Sequence, residues 1–447
     1  MKSLWIAACC LALSTASAAE QSDSAVGPLF RVDFALADVP ANGGASAYWP
    51  SMAQSRSLAT SLCESGNYLV SIATSGVRNP FARAGLQLGL EACELLVLAY
   101  VPGGSTWMHE EYHRAVLSRR GIPSYDGVYD FNLDATAVSV YRVSDESLAM
   151  LKAEHPEDLV RCEAAGYEGE VDLAGALLRD GMLRGARLYE PMALYALLSN
   201  SFYIWYNTSN ESDGEIAEFN ERETDPLKRD IVGWDFSAWT YDLHRPNEPY
   251  AARGSHPSGT GTNRYITWAQ LTSSEQGYLR LQAALSLVNF VRPQLYGVKP
   301  LCLGVGGRRS EYTAGFVHYL TPFGFMLGGY GMARTPGCGI AVGINVYANG
   351  KTALPGIDVS LYDVPVSFAS KGLFWSPRMS MWLQPDGQSF YGNAAAAGAL
   401  ISQRLDMKLR KGAGMYTEIE AKTKGWVAGT VDLGAALSLR AGAVAEF

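Results

Sequence analysis

Leu405-Asp406-Met407-Lys408-Leu409-Arg410 alternates apolar and charged side chains one for one. A period of two puts Leu405, Met407 and Leu409 on one face of a strand and the charges on the other. Leu437, Leu439, Ala441, Ala443, Ala445 and Phe447 repeat the pattern at the end of the chain. Strands whose apolar face has no second sheet to meet follow the pattern of a transmembrane barrel, with lipid outside and polar groups inside.

The same grammar reaches back to Gly307. Glu311–Leu320, Phe323–Arg334, Gly339–Ala348, Gly356–Phe368 and Arg378–Leu383 read as strands, followed by longer runs to Phe447. Pro336-Gly337, Asn349-Gly350, Asp386-Gly387 and Lys424-Gly425 read as the turns between them. Residues 308–447 leave room for about eight or more antiparallel strands at about ten residues plus a turn each. A soluble secreted sandwich or barrel is the competing reading, because Ala- and Gly-rich stretches such as Ala394–Ala399 suit either.

Upstream the spacing becomes helical, so the expected class is α+β: a mainly helical domain over 19–307, then the barrel. Lys2, the apolar run Leu4–Leu13 and Ala16-Ser17-Ala18 predict a secretory signal over 1–18, with the mature chain starting at Ala19. Cys9 after Ile6-Ala7-Ala8 offers a lipoprotein site as the second choice. Pro28–Val39 suits one strand, residues 81–100 an apolar helix, and Thr272 with Glu275 a capping box for a helix running to about Asn289. Ser201–Asn207 is an aromatic cluster suited to helix packing, a membrane interface or a groove, and 207–268 is expected to be a long polar loop. A net charge of −8 argues against nucleic acid as a partner. Five cysteines follow the signal, an odd number, with Cys302 and Cys338 the first pair to test for a disulfide.

The chemistry sits in the helical part, at His109-Glu110-Glu111-Tyr112-His113-Arg114, an H-E-x-x-H pattern. Val101-Pro102-Gly103-Gly104 breaks the chain before it, Ser105 or Thr106 can cap a helix, and Gly121 with Pro123 supplies the stop. On that helix His109 and His113 leave one face and can close on one Zn²⁺, with Glu110 beside them to take a proton from water at the metal. The chain has only six histidines, so this spacing is not a coincidence of composition. A third protein ligand is required, and Arg161–Asp172 is the segment best suited to supply it. There Glu168 and Asp172 stand four apart, so on a helix a ligating and a histidine-orienting carboxylate share a face. Gly166 and Gly169 flank this position and weaken a helix. Glu163, Glu170 and Glu190 are the rival ligands.

His109–His113 with Glu168 and Asp172 resembles the gluzincin metallopeptidases, in which a Glu on a later helix completes H-E-x-x-H. The resemblance implies His109, His113 and Glu168 as metal ligands, Asp172 behind them, Glu110 as the base, zinc as cofactor and a protein or peptide as substrate. The last strand, ending in Phe447, resembles the terminal strand of Gram-negative outer-membrane proteins. That implies a cell outer membrane location, lipid as a partner and the barrel-assembly machinery as another. In the loop, His244, Arg253 and His256 are candidates to steady an oxyanion. A barrel of about eight strands is filled by its own side chains, so the helical part is expected on the periplasmic side. The alternative reading is a non-catalytic outer-membrane barrel protein with a structural or vestigial metal site. A serine-dependent deacylase has no support, since no Gly-x-Ser-x-Gly occurs.

Overall fold

The computed structural model describes residues 31–446, apart from 45–46, 99, 132–137, 185–189, 306–307, 367–371 and 411. The expected signal segment, its cleavage at Ala19 and the terminal Phe447 lie outside the described residues. The fold is α+β. The helices are α1 Met52–Ser75, α2 Pro80–Leu98, α3 Ser105–Arg119, α4 Asp145–Glu154, α5 Pro156–Arg184, α6 Pro191–Tyr206, α7 Glu211–Arg222, α8 Asp235–His244 and α9 Ser273–Ser286. The strands of the large sheet are β1 Arg31–Val39, β4 Leu301–Val305, β5 Arg308–Thr321, β6 Gly324–Arg334, β7 Gly339–Ala348, β8 Ala353–Tyr362, β9 Val364–Pro365, β10 Leu373–Pro385, β11 Ala395–Arg410, β12 Ala413–Lys422 and β13 Ala436–Glu446. A small pair, β2 Tyr125–Asp126 and β3 Val140–Tyr141, stands apart.

The sheet is an antiparallel meander in the order β1-β13-β12-β11-β10-β8-β7-β6-β5-β4, with β9 also on β10. The first strand therefore lies beside the last, Val32 opposite Ala445 and Phe34 opposite Ala443. Residues 40–300, helices included, are inserted between the first strand and the second. The path ends at β1 and β4, and among the described residues no pairing joins these two, so the sheet is open at one seam.

Its two faces invert the usual polarity of a soluble sheet. Ile344 and Leu437 are 67 % and 66 % exposed, and Ile401, Ile419 and Leu439 are exposed with them. Their immediate neighbours Ser402, Glu420 and Arg440 are buried. Inside, Arg440 donates to Glu420 at 3.0 Å and Ser402 to Glu418 at 2.7 Å, so the enclosed charges are paired. Fully buried ionic groups need such partners, because desolvation costs more than an unpaired charge can recover.

Helix α5 packs against β5 and β6 and against the connection between β12 and β13. Its Glu168 accepts from Arg161 at 2.9 Å, from the Trp426 indole at 3.0 Å and from the Gly429 N–H at 2.8 Å. Asp172 accepts from Arg56 at 2.7 Å and Tyr112 at 3.0 Å. The core runs without a break from helix residues such as Met108, Leu177 and Trp239 to Tyr319, Leu320, Tyr347, Trp382 and Trp426 at one rim of the sheet.

Several local expectations hold. Thr272 and Glu275 form the capping box that opens α9, and Asn349-Gly350 and Pro336-Gly337 fall between strands. The stretch expected as a long loop over 207–268 instead contains α7 and α8. Its apolar positions, Ile216 on α7 and Phe236, Trp239 and Leu243 on α8, are buried at helical spacing, although polar residues outnumber them in sequence. The five cysteines are all free thiols, so Cys302 and Cys338 are not joined.

A buried ion network binds α8 to α4 and α5. Arg253 pairs with Glu163 and Asp242, and Lys152 reaches Asp242 at 2.9 Å. Burial on its own raises the Asp242 carboxyl, but the charges of Arg253 and Lys152 outweigh it and hold Asp242 at about 2. A depressed carboxylate stabilises the fold above its ordinary value and ceases to do so as pH falls through its folded value. Asp242→Asn, which leaves Lys152 without its partner and Arg253 with Glu163 alone, is expected to destabilise the protein by about 3–5 kcal/mol at neutral pH. Thermal unfolding followed by circular dichroism checks this. The gap between the wild type and the variant should narrow as pH falls from 3.8 to about 2.

Candidate metal centre

H-E-x-x-H lies on α3, as its spacing predicts, with both histidines on the face turned to α5 and α8. The N-cap is Gly104 rather than Ser105 or Thr106, both of which are already helical. The stop is Gly121, whose φ of 71° takes the chain out of the helix.

Both Nε2 atoms converge on one carboxylate oxygen. His109 Nε2 lies 3.1 Å and His113 Nε2 3.5 Å from Asp235 Oδ2. Two ligands at about 2.0–2.1 Å from one ion subtend about 3.3 Å at a tetrahedral angle, so each imidazole stands from the carboxylate at the spacing of two ligands of a tetrahedral metal. Among the described residues these three form one of two groups whose ligand atoms approach closely enough for one ion. The other, His155, Glu157 and Asp158, is only partly buried, and its Asp158 is bound to Arg120.

The far sides of the rings are also held. His113 Nδ1 meets the Cys162 carbonyl at 2.5 Å, and His109 Nδ1 lies 3.8 Å from Glu170 Oε1. Donation of Nδ1–H to the carbonyl fixes the His113 tautomer and leaves the Nε2 lone pair facing Asp235. Asp235 opens α8, where the helix dipole favours a carboxylate, and its own N–H bonds the Tyr203 hydroxyl at 3.2 Å.

The electrostatics fit a bound cation. Burial pushes Asp235 up, yet the His113 charge and the bonds to both rings carry it far below the carboxylate range. Burial pulls His109 down, and its hydrogen bond to Asp235 and the nearby Glu170 carboxylate reverse that and raise it well above the usual value. Glu110 is buried, and burial lifts its carboxyl well above the ordinary range; His109 opposes the rise, and Asp126, Asp230 and Asp235 add to it.

Glu168, expected as the third ligand, is not at this site, and neither is Asp172. Both face the sheet side of α5, where Arg161, Trp426 and Arg56 hold them. Of the rivals, Glu163 is taken by Arg253 and Glu190 by Asn67, while Glu170 stands behind His109. Asp235 was not singled out in the sequence because it lay in a segment read as loop. The signal that finds it is an Asp directly before the buried helical pattern Phe236, Trp239, Leu243. His244, Arg253 and His256 are engaged with Thr240, Asp242 and Ser258 respectively.

The two glycines that weaken α5 on paper are what allow the site to form. A Cβ at Gly166 would stand 2.1 Å from His109 Nε2, and one at Gly169 3.0 Å from the Tyr112 ring. The first does not fit and the second fits only if the Tyr112 ring gives by a few tenths of an ångström, so the His109 ring lies directly against the α5 backbone.

Compared with protein-family models, curated proteins and solved structures, the chain matches none.

Metal titration of single variants checks the ligand set. Asp235→Ala should weaken zinc binding by about 100-fold or more, and Glu170→Gln by about 10-fold to 100-fold through the ring it orients. Glu168→Gln should leave zinc affinity unchanged and lower only stability. Unchanged affinity in Asp235→Ala, with the loss appearing in Glu168→Gln, would restore the ligand set implied by the gluzincin resemblance.

Proposed function

We propose that the protein is a zinc-dependent hydrolase, a peptidase by activity, seated by its sheet in a bacterial outer membrane. The convergence of His109 Nε2, His113 Nε2 and Asp235 Oδ2 beside a buried Glu110 carries this reading. Two imidazoles and a carboxylate suit Zn²⁺ and leave a fourth position for chemistry. The ion, when bound, supplies Lewis acidity that polarises a carbonyl and acidifies water toward neutrality. This chain's own contribution is the Glu110 carboxylate. Its water-poor surroundings raise its basicity, so it takes a proton from the attacking water and returns it to the leaving amine. Glu170 and the Cys162 carbonyl hold the rings in register throughout.

The membrane part of the proposal draws on the inverted sheet. Apolar side chains line its outer face and paired charges its inner one, and the first and last strands are neighbours, as in a barrel. The helices join the rim that carries the insertion between β1 and β4 and the connections 386–394 and 423–435, opposite the short turn at 335–338. Short turns are periplasmic in such barrels, so on this reading the metal centre faces outward rather than toward the periplasm.

Glu110→Gln keeps the ligands and removes the base. Zinc content should remain that of the wild type while cleavage of a fluorescence-quenched peptide library falls about 10²-fold to 10⁴-fold. Full zinc occupancy with no cleavage by either protein would favour a structural metal site.

A further inference from the structure

We propose that the helical hairpin of α1 and α2 flanks the open seam on its β1 side and itself faces lipid, as a stave of the wall rather than a part of the helical domain. This rests on the membrane reading above and extends it to a segment that carries no strand.

The first observation is the backbone at the two free edges. On β1, the Asp33 and Ala35 N–H groups donate to Ser61 Oγ at 3.0 Å and Ser57 Oγ at 2.9 Å, and Ser61 donates back to the Asp33 carbonyl at 2.8 Å. The two serines are four apart, so one face of α1 supplies bonds that a neighbouring strand would otherwise make. Across the seam, where β5 runs past the short β4, the segment after α9 and not the hairpin meets the strand: Phe316 N–H bonds the Val291 carbonyl at 3.1 Å, and Asn289 bonds both the N–H and the carbonyl of His318 at 3.0 and 3.1 Å. Sheet edges in water can be left to solvent, whereas edges in hydrocarbon must be satisfied internally.

The second is the polarity of α2, which is inverted in the same sense as the sheet. Its polar residues Gln87, Glu91 and Glu94 follow one helical stripe, with Gln87 donating to Glu91 at 2.9 Å and Glu91 only 3 % exposed. Glu94 lies against Gly66 of α1, so close that a Cβ there would stand 2.2 Å from its carboxylate. The opposite face shows Leu86, Leu96 and Val97, and Phe81 near the hairpin tip is 88 % exposed. The one charged side chain exposed on α2 is Arg83, in the first turns, where a long cation can reach the headgroups. On α1 the exposed Leu69 and Ile72 extend this surface.

The dimensions agree. Helix α2 has 19 residues, about 28 Å, against a hydrocarbon core of about 30 Å. Among the described residues no helix is long and apolar enough to cross a membrane by itself. A stave does not need to be, because the stripe that lowers the helix's hydropathy is covered by α1. Acyl chains are therefore the assigned occupant, since α1 packs on β1, whose Phe34 and Leu36 are exposed as Leu69 and Ile72 of α1 are.

The test uses the full chain in phosphatidylcholine vesicles, with Cys9, Cys10, Cys93, Cys302 and Cys338 changed to Ser and the buried Cys63 and Cys162 kept. An environment-sensitive fluorophore is placed through Leu86→Cys or Val97→Cys on the hairpin, and through Ile344→Cys or Leu437→Cys on the sheet. Lipids spin-labelled in the acyl chain should reduce the signal of all four to the same extent, and aqueous iodide should leave all four unchanged. Sheet labels quenched by lipid with hairpin labels quenched by iodide would overturn the stave and leave the membrane reading intact. Hairpin labels shielded from both would overturn it in favour of a second copy or a protein partner. All four quenched by iodide alone would remove both the stave and the membrane reading.

Discussion

At Gly166 the backbone of α5 comes so near the His109 ring that no side chain fits between them. This contact sets the distance between α3 and α5, and with it the positions of the groups behind both rings, the Cys162 carbonyl and the Glu170 carboxylate. A helix pair separated by ordinary side chains packs about 8–10 Å apart, axis to axis. Glycine at the crossing lets the imidazole itself act as the spacer. The helix-weakening cost of Gly166 and Gly169, about 1 kcal/mol each, is offset by the burial of α5 along nearly its whole length.

The same helix ties the centre to the sheet. One side of α5 orients the histidines, and the other places Glu168 on Trp426 and Gly429 in the connection between β12 and β13. Helix α8, which carries Asp235, is fastened to the sheet by the Trp239 indole on the Thr321 carbonyl at 3.1 Å. The ligands thus reach the site from separate elements anchored to one rim. A site built on anchored helices holds its geometry better than one built on loops. The carboxylates that resemble a metal ligand pair in sequence serve here as the joints between helix and sheet.

The large features of this fold were legible because each rests on a period. Alternation gave the strands, Gly-containing pairs gave the turns, and a four-residue spacing placed His109 and His113 on one helical face. The proposed base and both imidazoles lie within five residues, little more than one turn of one helix. The third residue of the metal-capable group was not legible, because Asp235 is distant in sequence and its helix is short. Its apolar positions are also diluted by Asp, Arg and Pro on either side. The i, i+4 spacing of Glu168 and Asp172 was a real helical pattern with a different purpose: Arg161 and Arg56, far away in sequence or on another turn, claim those carboxylates. Likewise nothing local in Arg31–Val39 says that it pairs with the last strand, since register between sequence-distant strands depends on the partner's pattern as much as on its own.

The central claim is that His109, His113 and Asp235 share one metal ion. Zinc-edge X-ray absorption on the full chain loaded with one equivalent of zinc tests it most directly. The account predicts a first shell of nitrogen and oxygen at about 2.0–2.1 Å with the outer-shell scattering of two imidazoles. A sulfur shell at about 2.3 Å, or a spectrum of hydrated zinc free of imidazole, would contradict it.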